Sequence, residues 1–345
     1  MCINKSIVEA TEKPKLIRLS ENLFAVCFSL MKLLPARYIV EMALKLEVLK
    51  KDTVIIETSS GTFGLGLAMV GHQLGYKVVI VGDYAIDENL KNRMEGLGTE
   101  VIIVDKPSQN GGIQRARLEK MNELMGIYPN HFWPSQYDNI YNPESYSIIA
   151  DLLLEELGPI GVLCGPVGSG GSMCGTTRAL RKIDENVIAV GIDTHNSVLF
   201  GQEDGKRLLR GLGNSLFPKN LDHTIFDDVH WVTARDAFTA TRMLHSKHAL
   251  FMGGTSGAAY LVSAYYAERN PDKKVAVIFP DEGYRYQSTI YNRQWLIDNE
   301  VFGDSLPERP SLVSNPRNVS PDSWSFIKWN RRTYNEVVES SKSGK

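Results

Sequence analysis

The sequence predicts an α/β protein in which parallel strands alternate with helices. Short apolar runs rich in β-branched residues recur along the chain, and each is followed by a turn and a stretch with helical periodicity. Glycines stand just past two of the helical stretches, at Gly75 and Gly98, where helices commonly end. Strands that are apolar throughout are typical of a parallel sheet covered by helices on both faces.

The predicted elements follow one another from residue 53 onward. Strands are expected at Thr53–Glu57, Lys77–Val81, Val101–Val104, Val162–Cys164, Val187–Asp193, His230–Thr233 and Val275–Phe279. Helices are expected at Leu65–Leu74, Asp87–Leu97, Gln114–Met125, Glu144–Leu157, Met173–Lys182, Arg235–His248 and Ser256–Arg269. The stretch after Phe302 is rich in Ser, Pro, Asn and Arg, and its end, Ser340–Lys345, is expected to be disordered.

Composition and charge argue against several classes of protein. The chain has 345 residues, of which 43% are hydrophobic and 23% charged, as in a globular protein of about two domains. A net charge of −2 provides no basic stripe for nucleic acid and no polybasic patch for a membrane. The polar N-terminus lacks the apolar core of a secretory signal, and no apolar run approaches the roughly 20 residues of a membrane span. We therefore expect a cytoplasmic protein.

The cysteines show no spacing that suggests a metal site. Four are scattered along the chain, at Cys2, Cys27, Cys164 and Cys174, without a Cys-x-x-Cys or Cys/His pair. We expect them to be reduced and mostly buried, and we expect no bound metal.

The most informative turn is Gly-Pro-Val-Gly-Ser-Gly-Gly-Ser at residues 165–172, between a predicted strand and a predicted helix. Glycines let several backbone amides point into one concavity, the helix start adds partial positive charge, and Ser169 and Ser172 add hydroxyl donors. Met173 stands where the third glycine of a dinucleotide fingerprint belongs, and no Gly-Lys-Ser/Thr follows, so the turn favours a monophosphate. A tight connection without a ligand is the alternative.

Two further turns carry hydroxyl groups at the start of a predicted helix. Residues 57–64, Glu-Thr-Ser-Ser-Gly-Thr-Phe-Gly, offer hydroxyls and amides that suit a carboxylate, although Ser and Thr are also ordinary helix caps. Residues 253–259, Gly-Gly-Thr-Ser-Gly-Ala-Ala, could either cap a helix or place a neutral hydroxyl against an aromatic nitrogen.

Lys32 lies in an otherwise apolar stretch, Phe24–Pro35. Such a lysine either extends its amine to solvent or has a function. Removal from water lowers the pKa of an amine, which favours the neutral form that a Schiff base requires.

These four elements, taken in the order in which they occur along the chain, resemble the fold-type II pyridoxal-phosphate (PLP) enzymes, whose fold is that of the tryptophan synthase β-subunit. The similarity runs from about Pro14 to Leu296 and is strongest to the cysteine synthase / cystathionine β-synthase branch. Within it, the pattern is similar to siderophore-pathway enzymes that join phosphoserine to glutamate on the way to diaminopropionate.

The resemblance implies an architecture of two three-layer α/β/α lobes with PLP in the cleft between them. It implies a large domain formed by residues 1–37 and 138–345 and a smaller inserted domain at 38–137, with 303–345 as a C-terminal extension. A homodimer is also implied by the family.

The resemblance further implies a role for each matching residue. Lys32 corresponds to the Schiff-base lysine, and Thr255 to the hydroxyl at the pyridine nitrogen. The phosphate-binding residues would be Gly168, Ser169, Gly170, Gly171 and Ser172. The substrate carboxylate would be bound by Ser59, Ser60, Gly61, Thr62 and Gln136. Residues 280–286 resemble the last active-site turn of the family.

The sequence departs from the family pattern in two places. The segment before Lys32 is several residues shorter, and Leu33-Leu34 replaces the Asp-Arg that usually follows the lysine. Thr62 stands where the family has an Asn that contacts the ring hydroxyl of the cofactor, so Thr62 is also a candidate cofactor ligand. The first departure affects the entrance to the site and therefore the substrate.

The activity implied is β-replacement on an activated serine, O-acetylserine or O-phosphoserine, through an aminoacrylate intermediate. The product would be cysteine or a β-substituted alanine such as a diaminopropionate derivative. A neutral hydroxyl at the pyridine nitrogen leaves the ring a weak electron sink, which favours loss of a β-substituent over transamination. Net β-elimination, as in a serine/threonine dehydratase or a cysteine desulfhydrase, and a non-catalytic regulatory protein are the alternatives.

Several other residues carry weaker predictions. Arginines that could bind an anionic leaving group such as phosphate are Arg115, Arg117 and Arg210. We expect His195 to be a structural or rim residue, and we expect Cys164 and Cys174 to pack beside the glycine-rich turn rather than react.

Overall fold

The computed structural model describes residues 3–84, 86–108 and 112–338, so Cys2 and the predicted disordered end Ser340–Lys345 lie outside the described residues. The strands, in chain order from β1 to β12, are Lys15–Arg18, Leu23–Cys27, Val54–Thr58, Val78–Asp83, Glu100–Val104, His131–Phe132, Val162–Pro166, Ile188–Thr194, Asp228–Val232, Val275–Phe279, Ser311–Leu312 and Ser325–Lys328. The helices, from α1 to α12, are Ile7–Glu12, Leu33–Lys45, Thr62–Leu74, Glu88–Glu95, Gly112–Ile127, Tyr141–Glu144, Ser147–Leu157, Gly171–Arg181, Ala234–His248, Gly254–Arg269, Arg293–Asp298 and Tyr334–Val338.

The α/β class is confirmed, and each of the seven predicted strands is present to within two residues. The helices α3, α8 and α10 begin two or three residues earlier than predicted, inside the turns that carry the candidate ligands. Their first residues are Thr62, Gly171 and Gly254, whose small side chains give no apolar periodicity. The first-turn amides of these helices have no intrahelical acceptor and can therefore serve a ligand.

The chain divides into two compact units. Unit 1 contains residues 1–13 and 30–145, and unit 2 contains residues 14–29 and 146–345. The sequence-based boundaries at residues 37 and 137 differ from these, because residue 37 lies inside the continuous helix α2. Since the apolar face of α2 packs in the core of unit 1, the whole helix and Lys32 before it belong to that unit.

Unit 1 is built on a four-stranded parallel sheet in the order β5-β4-β3-β6. Successive residues of its strands face opposite sides, so Ile55 joins the core formed with α2, α3 and α4, while Ile56 joins the core formed with α5. Helices on both faces explain why these strands are apolar throughout. The carboxyl end of β3 leads directly into the 58–64 turn.

Unit 2 is built on an eight-stranded sheet in the order β1-β2-β10-β7-β8-β9-β12-β11. Strands β2, β10, β7, β8 and β9 are parallel neighbours, whereas β1 and β12 pair antiparallel with β2 and β9. The core lies between this sheet and helices that include α9 and α10. Within the described ranges, no helix has both the length and the apolarity needed to span a membrane.

The C-terminal segment, for which the sequence predicted no regular structure, completes the sheet of unit 2 through β12. Its attachment is partly polar: Trp324 Nε1 donates to His230 Nδ1 at 3.0 Å, and Lys328 Nζ donates to the buried Asp228 at 2.9 Å. The strand is four residues long, too short for a periodic signal, and its pairing partner lies about a hundred residues earlier in the chain.

Candidate active site

Lys32 immediately precedes α2 in unit 1, next to the buried side chains of Met31 and Leu33. Burial lowers the pKa of its amine to about 8, as the apolar surroundings predict. The backbone here lies close to α3, since a Cβ at Gly66 would be 3.0 Å from Lys32 O and 3.2 Å from Leu33 Cα. Glycine at position 66 therefore allows α3, which follows the 58–64 turn, to approach the lysine segment.

Two hydroxyl groups of the 58–64 turn, those of Ser59 and Ser60, are engaged in holding the turn, whereas Thr58 Oγ1 is buried without a partner in the described part of the chain. Ser59 Oγ accepts the N–H groups of Gly61 and Gly64 at 3.2 and 3.3 Å, which caps the start of α3. Ser60 Oγ is bonded to the N–H of Asp83 at 3.3 Å and to Arg117 Nη1 at 2.6 Å. With these side chains engaged, the groups left for a carboxylate are the amides at the beginning of α3, which follows Gly61 at Thr62.

Arg117 is the arginine that the structure brings to this turn. It lies on α5, is almost wholly buried, and pairs with Asp83 Oδ2 at 3.0 Å in addition to its bond to Ser60. Its Nε is buried and has no hydrogen-bond partner in the described part of the chain. Arg115, by contrast, is exposed and pairs with Glu119 at 3.2 Å. A buried guanidinium beside the turn makes Arg117 the better candidate for binding an anion.

Gln136 lies in unit 1 on the loop that follows β6, and both ends of its peptide are held. Its N–H donates to Glu57 Oε2 at 3.3 Å, and its carbonyl accepts a hydrogen bond from Asn142 Nδ2. Glu57 Oε1 accepts the N–H of Thr58 at 2.7 Å and Trp133 Nε1 at 3.0 Å. Burial raises the pKa of Glu57 to about 7, while these N–H donors act in the opposite direction.

Sequence reasoning gave Glu57 no function. The available signal was an acidic residue at the end of an otherwise apolar strand, Thr-Val-Ile-Ile-Glu. Buried carboxyl groups are rare unless they are paired or hydrogen-bonded, so that position invited a search for partners.

The glycine-rich turn in unit 2 connects β7 to α8. Gly170 has φ +82°, and a Cβ there would lie 2.8 Å from Leu221 Cα, so the turn requires glycine at this position. Ser169 and Ser172 are both buried. A left-handed glycine directly before a helix of eleven residues directs consecutive amides toward one point, which suits a phosphate group.

Polar groups of the segment that follows β8 form hydrogen bonds to the glycine-rich turn in unit 2. The N–H of Gly213 donates to Val167 O at 3.0 Å, and Asn214 Nδ2 contacts Gly168 O at 3.4 Å. Asn214 is in turn fixed by its N–H to Ser197 Oγ at 3.1 Å, and Ser197 bonds to the buried carboxyl of Asp193. Burial raises the pKa of Asp193 to about 7.

Thr255 is the second residue of α10, and its hydroxyl donates to Arg210 O at 3.2 Å. A pyridine nitrogen that accepted a hydrogen bond from the Thr255 hydroxyl would therefore replace the carbonyl of Arg210 as acceptor. The neighbouring Ser256 Oγ is buried and has no partner within the described ranges. The structure thus places two hydroxyl groups at the head of α10, one of them already bonded.

The remaining candidates occupy structural positions. His195 is bonded through Nε2 to Ser323 O at 3.1 Å in the C-terminal segment. Burial raises the pKa of Cys164 well above its ordinary value and that of Cys174 to about 11, so neither thiol ionises near neutral pH. No group of His, Cys, Asp and Glu side chains in the described part of the chain could hold a metal ion.

Comparison with known proteins points to one family. The family model described as pyridoxal-phosphate dependent enzyme matches residues 31–281. The N-(2-amino-2-carboxyethyl)-L-glutamate synthase of Cupriavidus metallidurans is 35% identical over 270 residues, which cover 76% of this chain and 79% of that protein.

Solved structures give a similar result. A hydrogen sulfide-producing enzyme from Fusobacterium nucleatum is 28% identical with a TM-score of 0.76, covering 82% of this chain and all of that one. The O-acetylserine dependent cystathionine beta-synthase from Helicobacter pylori is 26% identical with a TM-score of 0.78, covering 85% of this chain and all of that one.

Proposed function

Because this chain belongs to the pyridoxal-phosphate dependent enzymes, and within them to the cysteine synthase type, we propose that it replaces the β-substituent of an activated serine with an amino-acid amine. The donor would be O-phosphoserine or O-acetylserine. Glutamate is the proposed acceptor, because the relative from Cupriavidus metallidurans is named for a glutamate derivative of this kind. The observation that carries the proposal is a lysine amine of lowered pKa beside the helix that begins at the 58–64 turn.

The residues present fit pyridoxal phosphate. Lys32 provides an amine that is partly neutral near pH 8, which a covalent bond to an aldehyde requires. The turn formed by Gly168, Ser169, Gly170, Gly171 and Ser172 combines a left-handed glycine with a helix N-terminus, and we propose that it binds the phosphate. Thr255 would bind the pyridine nitrogen and Thr62 the ring hydroxyl.

When bound, pyridoxal phosphate supplies an electron sink for the charge left at Cα after a proton is removed. We propose that Lys32 Nζ removes that proton, since an amine with a pKa of about 8 can both accept and return a proton near neutral pH. Gln136 and the 59–62 segment would bind the substrate carboxylate. The amides at the start of α3 would supply N–H donors and the favourable end of the helix dipole.

Arg117 is the proposed determinant of an anionic leaving group. Its guanidinium is held beside the turn by Ser60 and Asp83, and its buried Nε has no partner in the described part of the chain, so Arg117 would act on the leaving group as a charged donor close to the turn. A phosphate leaving group would gain more from that donor than an acetate, because it carries more negative charge.

Net β-elimination is a second candidate, because the Fusobacterium nucleatum structure is described as a hydrogen sulfide-producing enzyme. Both reactions would use Lys32 and the carboxylate-binding residues in the same way. They differ in whether an amine reaches Cβ before the product leaves.

We also propose that the protein is a cytoplasmic homodimer, as is expected for this family. The two compact units would correspond to the small and large domains of the family, with residues 303–345 as an extension of unit 2. Light scattering of the purified protein at micromolar concentration tests the dimer.

The experiment that tests the proposed function follows atoms from the acceptor into the product. The purified enzyme, loaded with pyridoxal phosphate, is incubated with O-phosphoserine or O-acetylserine and ¹⁵N-glutamate. We expect an amino acid that contains ¹⁵N bonded to the former serine Cβ, detected by mass spectrometry. Pyruvate and ammonia formed at the same rate with and without glutamate would instead establish elimination.

Variants of the two lysines at the opposite ends of α2 provide the control. Lys32→Ala should abolish product formation and the visible absorption of the covalently bound cofactor. Lys45→Ala, in the exposed last turn of α2, should leave both unchanged. A Lys32→Ala enzyme that keeps both the absorption band and the activity would contradict the role of Lys32.

A further inference from the structure

Glu57 connects two segments that are far apart in sequence. It is the fourth residue of β3, only 1% exposed, and stands directly before the 58–64 turn. Thr58 belongs to that turn, whereas Trp133 and Gln136 belong to the loop after β6, and all three donate an N–H to the Glu57 carboxyl. One carboxyl group thus joins the two segments that carry the proposed carboxylate ligands.

The partners of Glu57 are of a particular kind. The N–H of Ser135 also contributes to the hydrogen bonding of this carboxyl, so every partner is a hydrogen-bond donor from the neutral backbone or an indole. No cation pairs with Glu57 within the described part of the chain. A carboxylate has two oxygens that only accept, and it can serve this many donors where a hydroxyl or an amide could not.

The conformation of the loop at Gln136 depends on hydrogen bonds from residues outside the loop. Ser135 has φ +49°, a left-handed conformation that is unfavourable for a residue with a side chain. The carbonyl side of Gln136 is fixed by Asn142, and Ser145 Oγ donates to Asn142 O at 2.7 Å. Glu57 supplies the corresponding restraint on the N–H side.

We propose that Glu57 is a positioning residue, which fixes Gln136 relative to the 59–62 segment so that both can bind the carboxylate of one amino-acid substrate. This inference rests on the proposed function, because that function gives Gln136 and the 59–62 segment a common ligand. Glu57 does not contact the substrate. Its effect passes through the Gln136 peptide on one side and Thr58 on the other.

The two oxygens of Glu57 have different partners, which allows a selective substitution. In Glu57→Gln, the remaining oxygen can still accept from Thr58 and Trp133, but an NH₂ group then faces the N–H of Gln136. This change breaks the bond to Gln136 and preserves the bonds from Thr58 and Trp133. Trp133→Phe is the matched control, since it removes one donor to the other oxygen and leaves the Gln136 bond in place.

The test compares two ligands that differ only in the carboxylate. These are the donor that the wild-type enzyme uses, O-phosphoserine or O-acetylserine, and its decarboxylated counterpart, O-phosphoethanolamine or O-acetylethanolamine. Dissociation constants are measured on the holoenzyme from the change in cofactor absorption, together with KM and kcat for the donor. Thermal unfolding establishes that each variant is folded.

For Glu57→Gln we expect KM and the dissociation constant of the donor to rise about tenfold, the effect of losing one well-placed hydrogen bond to a charged group. The dissociation constant of the decarboxylated ligand should be unchanged. For Trp133→Phe the dissociation constants of both ligands should change less than about threefold. Gln136→Ala should reproduce the Glu57→Gln pattern, and the double variant should be no worse than the more affected single variant.

Three results would overturn the proposal: equal weakening of both ligands by Glu57→Gln, a fall in kcat with KM unchanged, or additive effects of Glu57→Gln and Gln136→Ala. These outcomes are separate from failure of the proposed function. If the wild type makes no β-substituted amino acid but the two variants still lose affinity for the carboxylate-bearing ligand alone, the positioning role stands and the proposed reaction is wrong. If product forms and Gln136→Ala binds both ligands normally, the reaction stands and the role of Glu57 is wrong.

Discussion

Glu57 in unit 1 and Asp193 in unit 2 occupy corresponding places in two different sheets. Each lies at the carboxyl end of a buried parallel strand, and each accepts the N–H of the next residue at 2.7 Å. Burial raises the pKa of each carboxyl to about 7. Each also restrains a distant loop, Glu57 through Gln136 and Asp193 through Ser197.

The two carboxyl groups differ in how many of their oxygens accept a hydrogen bond. Both oxygens of Glu57 accept hydrogen bonds, whereas Asp193 Oδ2 is buried without a partner in the described part of the chain. Arg207 gives Asp193 some electrostatic compensation, whereas the partners of Glu57 in the described part of the chain are neutral N–H donors. The comparison teaches that equal burial and equal pKa do not imply equal function, because the hydrogen-bond partners decide which oxygen matters.

The largest loss of stability is expected from a substitution that displaces Asp193 and Ser197. Gly213 has φ +72°, and a Cβ there would lie 2.8 Å from Ser197 Cβ and 2.9 Å from Asp193 Oδ1. Gly213→Ala should therefore lower the free energy of unfolding by about 3 kcal/mol and weaken binding of pyridoxal phosphate. Chemical denaturation and cofactor titration measure the two effects.

Gly75→Ala measures the cost to stability of a left-handed backbone conformation without a steric clash. Gly75 also has a left-handed φ, +76°, but a Cβ there would meet no atom of the described residues within 4 Å. Its substitution should cost about 1 kcal/mol and leave cofactor affinity unchanged. Equal losses for the two variants would contradict the steric argument about Asp193 and Ser197.

A somewhat smaller effect, between about 2 and 3 kcal/mol for each carboxyl from pH 5 to pH 8, is expected from pH. Because folding raises both pKa values to about 7, the folded protein binds more protons than the unfolded chain between about pH 4 and pH 7. The contribution of each group to stability is therefore complete at low pH and is lost as pH rises to about 7. Denaturant unfolding from pH 5 to pH 8 should show this decline in the wild type and a smaller one in Asp193→Asn.

The smallest changes in the free energy of unfolding are expected at pH 8 when a carboxyl group is replaced by the corresponding amide in each unit. Asp193→Asn can keep the bonds to Thr194 and Ser197 on its one oxygen and should change the free energy of unfolding by less than about 1 kcal/mol. Glu57→Gln loses an acceptor and should be destabilised by about 1–2 kcal/mol. Destabilisation of Asp193→Asn beyond that of Glu57→Gln would reverse the comparison.

The sequence predicted those features whose signals are local. Strand, turn and helix alternate within about 20 residues, and the glycines of 165–172 indicated a turn whose amides point into one concavity, where the structure has the left-handed Gly170. The PLP family and cofactor were predicted from the order of four such segments, and both are confirmed. The individual roles of the site residues stay predictions.

The features that escaped prediction join distant parts of the chain. Glu57 and Gln136 are 79 positions apart, and Thr255 bonds to a carbonyl 45 positions earlier. Strand β12 pairs with β9 across about a hundred residues. No periodicity or turn motif encodes such contacts, because they exist only after the intervening elements have packed.

The pairing of β2 with β10 determines when unit 2 can be completed during synthesis. Residues 14–29 are made before most of unit 1, yet Leu23–Cys27 pair with Val275–Phe279, some 250 residues later. The sheet of unit 1 can form from residues 30–145 as they leave the ribosome, whereas β2 has to wait for β10. We therefore expect the β1–β2 pair to spend most of translation without its β10 neighbour, at the stage when a nascent chain is most exposed to chaperones and to aggregation.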